Sequence, residues 1–206
     1  MRDKTESTAH DLMTLEQFEE RILEGERWIE LVEGRFLRLN PPDDAHGDVV
    51  RNLSRSLAKF LKKSADMYAC FELPLIVRKD PPTVRCPAVS CFRFEPGNRF
   101  AETDKVLTDT RPVLVIEVAS TNERRESMTV RVEAYFDWGV TGVWVIDPVT
   151  RHVHQFYGPG DGLTLKEQQV VTGQPVLPGF SIPVSDLFQP PAWMKTQSVK
   201  SDEHEA

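Results

Sequence analysis

The sequence predicts an α/β domain in which helices flank a mixed sheet. Two nearly continuous apolar runs, 113–118 and 143–146, have the composition of central strands that are buried on both faces. A helical pattern lies between them, over about 126–138, and Gly139 follows it as a stop signal. A strand, a helix and a second strand in this order predict a right-handed parallel crossover.

The first forty residues predict a helix and a hairpin. Thr14 and Gln17 fit a capping box, so a helix begins after Thr14 and ends near Gly25. Two short apolar runs, 28–32 and 35–39, then flank a two-residue step that ends in glycine. This spacing is typical of a hairpin.

A long helix is predicted next, capped by Asp43 or Asp44 and running to about residue 65. One side of it is apolar and packs inward. The other side carries the basic stripe, which consists of Arg51, Arg55, Lys59, Lys62 and Lys63. A solvated helix face is the plain interpretation of the basic stripe, and contact with nucleic-acid phosphates is the functional one.

The remaining chain is predicted to be rich in strands. Residues 73–77 and 84–94 have strand character and are separated by an Asp-Pro-Pro turn. A hairpin is expected from 152–157 and 163–170. We expect a flexible segment over 1–12, one domain over 13–189 and a disordered tail over 190–206.

Composition excludes several classes of protein. A chain of 206 residues fits one domain, and no apolar run reaches the ~18 residues that span a bilayer. No secretory signal is visible at the N-terminus, so a cytoplasmic location is expected. The net charge of −7 argues against a general nucleic-acid coat. No nucleotide-binding loop or serine-hydrolase motif occurs, and the three cysteines, without a C-x-x-C pair, are expected to be small buried thiols.

Two glutamates stand inside apolar strands. Glu117 follows Val-Leu-Val-Ile, and Glu30 lies within Trp-Ile-Glu-Leu-Val. A buried carboxylate is costly unless it is paired or binds a metal, so each glutamate is either a site residue or half of a structural ion pair. Arg131 and Arg35 are the candidate partners. His46, in a first helical turn, would be an ordinary surface residue if taken alone.

One other pattern could bind a metal. In His152-x-His154 the two imidazoles share a strand face, but no third ligand is near them in sequence.

Six separated segments carry a family resemblance: 15–18, 28–35, 41–46, 113–120, 133–140 and 143–148. In this order they resemble the Uma-type family of restriction-endonuclease-like proteins, within the PD-(D/E)xK nuclease superfamily. The resemblance covers about residues 13–188. It implies a restriction-endonuclease-like fold, DNA as a partner and a homodimer.

The resemblance also implies a catalytic site. Two carboxylates would hold Mg²⁺ or Mn²⁺, which activates a water and neutralises the scissile phosphate. The family's strand glutamate matches Glu117, a second glutamate matches Glu30, and the helix-start histidine matches His46. Glu117 would ligate the metal, with Glu30 or Glu72 as its partner.

Two departures from the family pattern damage that site. The motif aspartate is replaced by Ala88, which has no oxygen for a hard cation. The motif lysine is replaced by Arg131, which keeps the positive charge but does not titrate. A migrated carboxylate could compensate, or Glu117 and Arg131 could neutralise each other. The candidate surrogates are Glu72, Asp80 and Glu95.

Three functions compete on this basis. The favoured one is a catalytically degenerate nuclease relative that binds nucleic acid or a protein partner. The second is an active Mg²⁺- or Mn²⁺-dependent DNA endonuclease that uses Glu117, Glu30, His46, Arg131 and a surrogate carboxylate. The third is a non-enzymatic protein-binding module, which fits the net charge of −7.

Overall fold

A computed structural model describes residues 12–64, 66–94 and 106–194. The helices are α1 (Leu15–Leu23), α2 (Asp44–Leu61), α3 (Asn122–Glu126), α4 (Met128–Trp138) and α5 (Val184–Leu187). The first six strands are β1 (Ile29–Val32), β2 (Arg35–Arg38), β3 (Met67–Phe71), β4 (Leu75–Lys79), β5 (Pro82–Arg85) and β6 (Val89–Arg93). The others are β7 (Leu114–Val118), β8 (Gly142–Asp147), β9 (His152–Gly158), β10 (Asp161–Leu165), β11 (Val170–Thr172) and β12 (Ser181–Pro183).

Two sheets dominate the architecture. The larger has six strands in the order β10-β9-β8-β7-β6-β3, and the smaller has four in the order β2-β1-β5-β4. Within the larger sheet β7 and β8 run parallel, while its other neighbouring strands are antiparallel. The parallel pair confirms the predicted crossover connection between the two central strands. Strands β11 and β12 form a separate antiparallel ribbon.

The crossover contains two helices where the sequence predicted one. The side chain of Thr121 accepts from the backbone N–H of Arg124 and starts α3, which ends at Ser127. Helix α4 begins one residue later. Gly139 adopts a left-handed φ of 93° after α4, a conformation that glycine reaches without strain and that ends helices. The predicted stop at Gly139 is therefore confirmed.

The N-terminal predictions are confirmed. Thr14 and Gln17 form both hydrogen bonds of the capping box that begins α1. Strands β1 and β2 make the predicted hairpin, with Val32 opposite Arg35. The side chain of Asp43 caps α2 by accepting from the backbone N–H of His46 at 2.8 Å.

Two strand predictions were wrong in extent. The predicted strand 84–94 is divided into β5 and β6, which belong to different sheets. Pro87 lies at the break, where its missing N–H prevents a continuous ladder. The predicted strand 163–170 ends at Leu165, and Val170 starts β11 instead.

The two faces of β7 contact different parts of the core. Leu114, Ile116 and Val118 join a cluster that includes the apolar side of α2. Val115 points the other way and packs with Tyr135 of α4. Since side chains alternate along a strand, Glu117 shares the α4 face with Val115. Each fully buried large apolar side chain contributes roughly 1.5–3 kcal/mol, so both faces of β7 stabilise the fold.

The remaining predictions concern the chain ends, membrane-spanning helices and the cysteines. The predicted flexible segment 1–12 and tail 190–206 lie largely outside the described residues. None of the described helices is long and apolar enough to cross a membrane. All three cysteines are free; Cys91 is buried, while Cys70 and Cys86 are only half-buried, which corrects the expectation of three buried thiols.

Candidate functional site: a buried carboxylate–arginine network

Glu117 is fully buried on β7 and faces α4. Its Oε1 accepts hydrogen bonds from Arg131 Nε at 3.0 Å and from the Tyr135 hydroxyl at 2.7 Å. Its Oε2 is buried and has no hydrogen-bond partner in the described ranges. One side of this carboxylate is therefore held by α4 and the other is unsatisfied.

Glu30 is fully buried on β1 and is held more completely than Glu117. Arg131 grips it with both terminal nitrogens, Nη1 to Oε2 and Nη2 to Oε1, each at 2.6 Å. Arg85 Nη1 adds a contact to Oε2 at 2.9 Å, and the backbone N–H of Cys86 donates to Oε1 at 2.9 Å. This two-pronged guanidinium–carboxylate geometry is the strong form of the ion pair.

Arg131 therefore joins the two sheets. Glu30 belongs to the four-stranded sheet and Glu117 to the six-stranded sheet. Arg131 and Tyr135 are one turn apart on α4, so both side chains reach the same side of the helix. Of the two partners considered from the sequence, Arg131 is the right one; Arg35 is exposed on β2.

The charges of the network reinforce one another. Burial alone would raise the pKa of Glu30, but the charges of Arg131 and Arg85 and the hydrogen bonds outweigh it and lower that pKa to about 2. Burial would lower the pKa of Arg131, but Glu117 and Glu30 hold it well above its usual value. Burial, together with the charge of Glu117, raises the pKa of Tyr135 well above its usual value, so its hydroxyl remains a donor. Near neutral pH these shifts keep Glu30 and Arg131 charged and Tyr135 neutral.

His46 lies beside a neighbouring cavity of about 230 Å³, together with Glu72, Cys86, Ala88 and Arg124. The ring is only 3% exposed, so the expectation of a surface residue was wrong. Within the part of the chain that the structure describes, neither ring nitrogen makes a hydrogen bond, and Nε2 is 4.0 Å from Glu72 Oε1. Burial, followed by the positive charge of Arg124, lowers the pKa of His46 to about 4, although Asp43 acts in the opposite direction.

Glu72 is the candidate surrogate that lies beside Ala88. Its backbone N–H donates to the Ala88 carbonyl at 3.2 Å, and both residues line the same cavity. Asp80 lies in the turn between β4 and β5, within the other sheet, and Glu95 is outside the described residues. Across the described ranges, no group of three or more His, Cys, Asp or Glu side chains is placed to hold a metal ion.

The basic stripe of α2 is heterogeneous. Arg51 already has partners within the chain, because it donates hydrogen bonds to Asp48 Oδ1 at 2.6 Å and to the Gln189 carbonyl at 2.6 Å. Arg55, Lys59, Lys62 and Lys63 are exposed. Phosphate contact by these side chains stays a prediction.

The histidine pair on β9 does not gain a third ligand. The His152 and His154 rings are 6.2 Å apart, and His154 Nδ1 lies 2.9 Å from the Thr164 hydroxyl. Among the residues that the structure describes, no third His, Cys, Asp or Glu side chain joins them to form a metal-binding group.

Sequence reasoning missed Arg85, Tyr135 and Arg124 as site residues. Arg85 gave a usable signal, because it is a charged residue that directly follows Val84 in a segment of strand character. Tyr135 gave another, because it stands four residues after Arg131. Arg124 gave none, since its burial depends on where α3 packs.

The sequence matches the Uma2 family, described as "Putative restriction endonuclease", over residues 15–185. The chain belongs to this family. No curated protein matches it. Among solved structures it is similar to a protein described as a putative nuclease belonging to DUF820 from Anabaena variabilis ATCC 29413, with a TM-score of 0.70 and 17% identity, over 85% of this chain and 97% of that chain. The likeness confirms the predicted restriction-endonuclease-like fold, and the family match confirms the resemblance.

Proposed function

We propose that this Uma2-family chain is a catalytically inactive nuclease relative that binds DNA without cutting it. The observation that carries the proposal is that Arg131 occupies both glutamates of the inherited site. A metal ion would need the carboxylate oxygens that Arg131 now holds.

The side chains present do not fit a divalent metal ion. Ala88 offers no ligand oxygen, and Glu117 has a single uncommitted oxygen, Oε2. Arg131 would place a second cation close to any ion bound by that oxygen, and like charges repel strongly where water is excluded. Glu30 already balances Arg131 and Arg85. The inherited carboxylates therefore support the fold better than they support hydrolysis.

DNA is the partner that the family and the exposed cations favour. A local positive surface lies along the C-terminal half of α2 and just beyond its end at Leu61; it consists of Arg55, Lys59, Lys62 and Lys63. Because the whole chain carries a net charge of −7, binding should be confined to this surface and should weaken steeply with salt.

A second candidate is a metal-dependent nuclease in which Glu72 replaces the motif aspartate. The contact between the Glu72 N–H and the Ala88 carbonyl favours it, because it places Glu72 beside the position of the lost ligand. His46, 4.0 Å away, would be its neighbour in that site.

Cleavage of supercoiled plasmid with Mn²⁺ tests the proposal. Wild type is compared with Glu117→Gln, Glu72→Gln and the exposed control Glu33→Gln, all purified identically. We expect equal background nicking by all four proteins and salt-sensitive retention of labelled duplex by the wild type. Cleavage that Glu117→Gln abolishes and Glu33→Gln retains would contradict the proposal. If Glu72→Gln also abolished it, the second candidate would be supported.

A further inference from the structure

We propose that the cavity between His46 and Arg124 is a binding site for a phosphate-type oxyanion. The site is separate from the exposed cations of α2 and does not depend on DNA binding there. In this proposal the cavity binds the anion itself and not a metal ion.

Unpartnered buried polar atoms carry the inference. His46 is 3% exposed and Arg124 is 6% exposed, and both line the cavity. Both ring nitrogens of His46 and Nε of Arg124 are buried, and none of them has a hydrogen-bond partner among the described residues. The neutral imidazole carries one N–H donor, and the Nε–H of Arg124 is another. Buried donors are normally satisfied, and a buried donor without a hydrogen bond is costly. Two such side chains facing one cavity indicate that a ligand with acceptor oxygens completes it.

The size of the cavity limits the ligand to a small group. Its volume is about 230 Å³. Pockets for drug-sized molecules are larger, at about 300–1,000 Å³, whereas a water molecule takes about 30 Å³ of liquid volume. The space suits an oxyanion with a few waters and excludes a whole nucleotide bound inside.

Helix α2 adds to the positive character of the cavity wall. His46 lies in the first turn of this 18-residue helix, whose N-terminal end carries a partial positive charge. Arg124 supplies a full charge, and Arg27 stands exposed on the lining. Asp43, the helix cap, is engaged with the backbone N–H of His46.

Two carboxylates also line the cavity, and they oppose an anion unequally. Glu26 is neutralised by ion pairs with Arg21 and Arg38. Glu72 is the true competitor, since its Oε1 is 4.0 Å from His46 Nε2. Its side chain is 56% exposed, so it can turn toward solvent when an anion enters. Glu72 should therefore weaken anion binding without preventing it.

Isothermal titration with inorganic phosphate at constant ionic strength, against chloride, tests the site. Removing a charged donor should weaken binding about tenfold or more in Arg124→Gln. The matched control Arg93→Gln removes an exposed arginine at the far end of β6 and should bind like wild type. No phosphate-specific heat, or equal binding by both variants, overturns the proposal.

The substitution Glu72→Gln gives the sharpest discrimination and changes an exposed side chain, so folding is not at risk. If the cavity binds anions, loss of this carboxylate should tighten phosphate binding several-fold. If the cavity binds a cation through Glu72 and His46, the same change should weaken Mn²⁺ binding and leave phosphate unbound. That second result overturns the proposal.

Short oligonucleotides distinguish a free anion from the end of a strand. Single strands with a 5′-phosphate or a 5′-hydroxyl are titrated into the variant Lys59→Glu/Lys63→Glu, which lacks the proposed duplex-binding surface. Preference for the 5′-phosphate that disappears in Arg124→Gln assigns the site to strand ends. Equal weak binding of both strands, with inorganic phosphate still bound, assigns it to the free anion. The duplex-binding proposal can fail in either case without affecting the anion site.

Discussion

Arg131 and Glu30 are 101 positions apart in the chain, yet they form a buried two-pronged ion pair with both distances at 2.6 Å. The pair joins α4 to the four-stranded sheet, while Arg131 Nε holds Glu117 of the other sheet. Arg131 thus connects the two sheets through one buried guanidinium group. Such a network stabilises only as a unit, because each charge depends on the others.

Replacing Arg131 should therefore destabilise the protein severely. Arg131→Met leaves Glu30 and Glu117 buried beside the single cation of Arg85, and breaking a buried pair from one side costs about 3–5 kcal/mol. Urea denaturation followed by circular dichroism measures the loss in the free energy of unfolding. The control Arg93→Met removes a half-exposed arginine, and exposed pairs contribute about 0–1 kcal/mol. Equal losses for the two variants would show that the buried network does not stabilise the fold.

The sequence could predict the carboxylates but not the closure of the network. Glu30 and Glu117 were visible because a charged residue interrupts an apolar strand, and this pattern is local. Arg131 was available as a partner through its spacing from Tyr135. The binding of both glutamates by Arg131 could not be predicted, because β1 and β7 lie in different sheets and their approach depends on tertiary packing.

The burial of His46 was hidden for a similar reason. Its place in a first helical turn predicted exposure, but the wall of the cavity beside it comes from distant parts of the chain: the segment after β3, the segment before β6, and α3. The division of 84–94 into β5 and β6 was accessible in principle, since Pro87 marks the break.

Protonation of Glu30 should lower the free energy of unfolding at acid pH. Its pKa is about 2 in the folded chain against the ordinary value of 4.5, so the folded state binds its proton less readily. The stabilisation is present above pH 4.5 and is lost as the pH falls toward 2, by about 3 kcal/mol in all. Urea midpoints over this range should fall for wild type, and the fall should be shallower in Glu30→Gln. If the urea midpoints of the two proteins fell in parallel, the loss of stability at acid pH would belong to other carboxyl groups.

Protonation of His46 should affect the free energy of unfolding at a higher pH than protonation of Glu30 does. Its pKa is about 4 in the folded chain against 6.5 for the free side chain, so the fold favours the neutral ring. This contribution is complete above pH 6.5 and is lost as the pH falls through 4, by roughly 3 kcal/mol. In phosphate-free buffer, His46→Asn should flatten the profile between these two values. If the ring signal that is lost in His46→Asn titrates near 6.5 by NMR in the wild type, the assignment is contradicted.

Charge reversal on α2 should change how duplex binding depends on salt. Lys59 and Lys63 are exposed, and each lysine that contacts a phosphate contributes about one to the slope of log affinity against log salt. The variant Lys59→Glu/Lys63→Glu should weaken binding uniformly across sequences and reduce that slope by about two, as measured by fluorescence anisotropy at several salt concentrations. The control Lys79→Glu alters an exposed lysine of the four-stranded sheet and should leave the slope unchanged. If the double variant bound as tightly as the control, with an unchanged slope, α2 would not contact DNA.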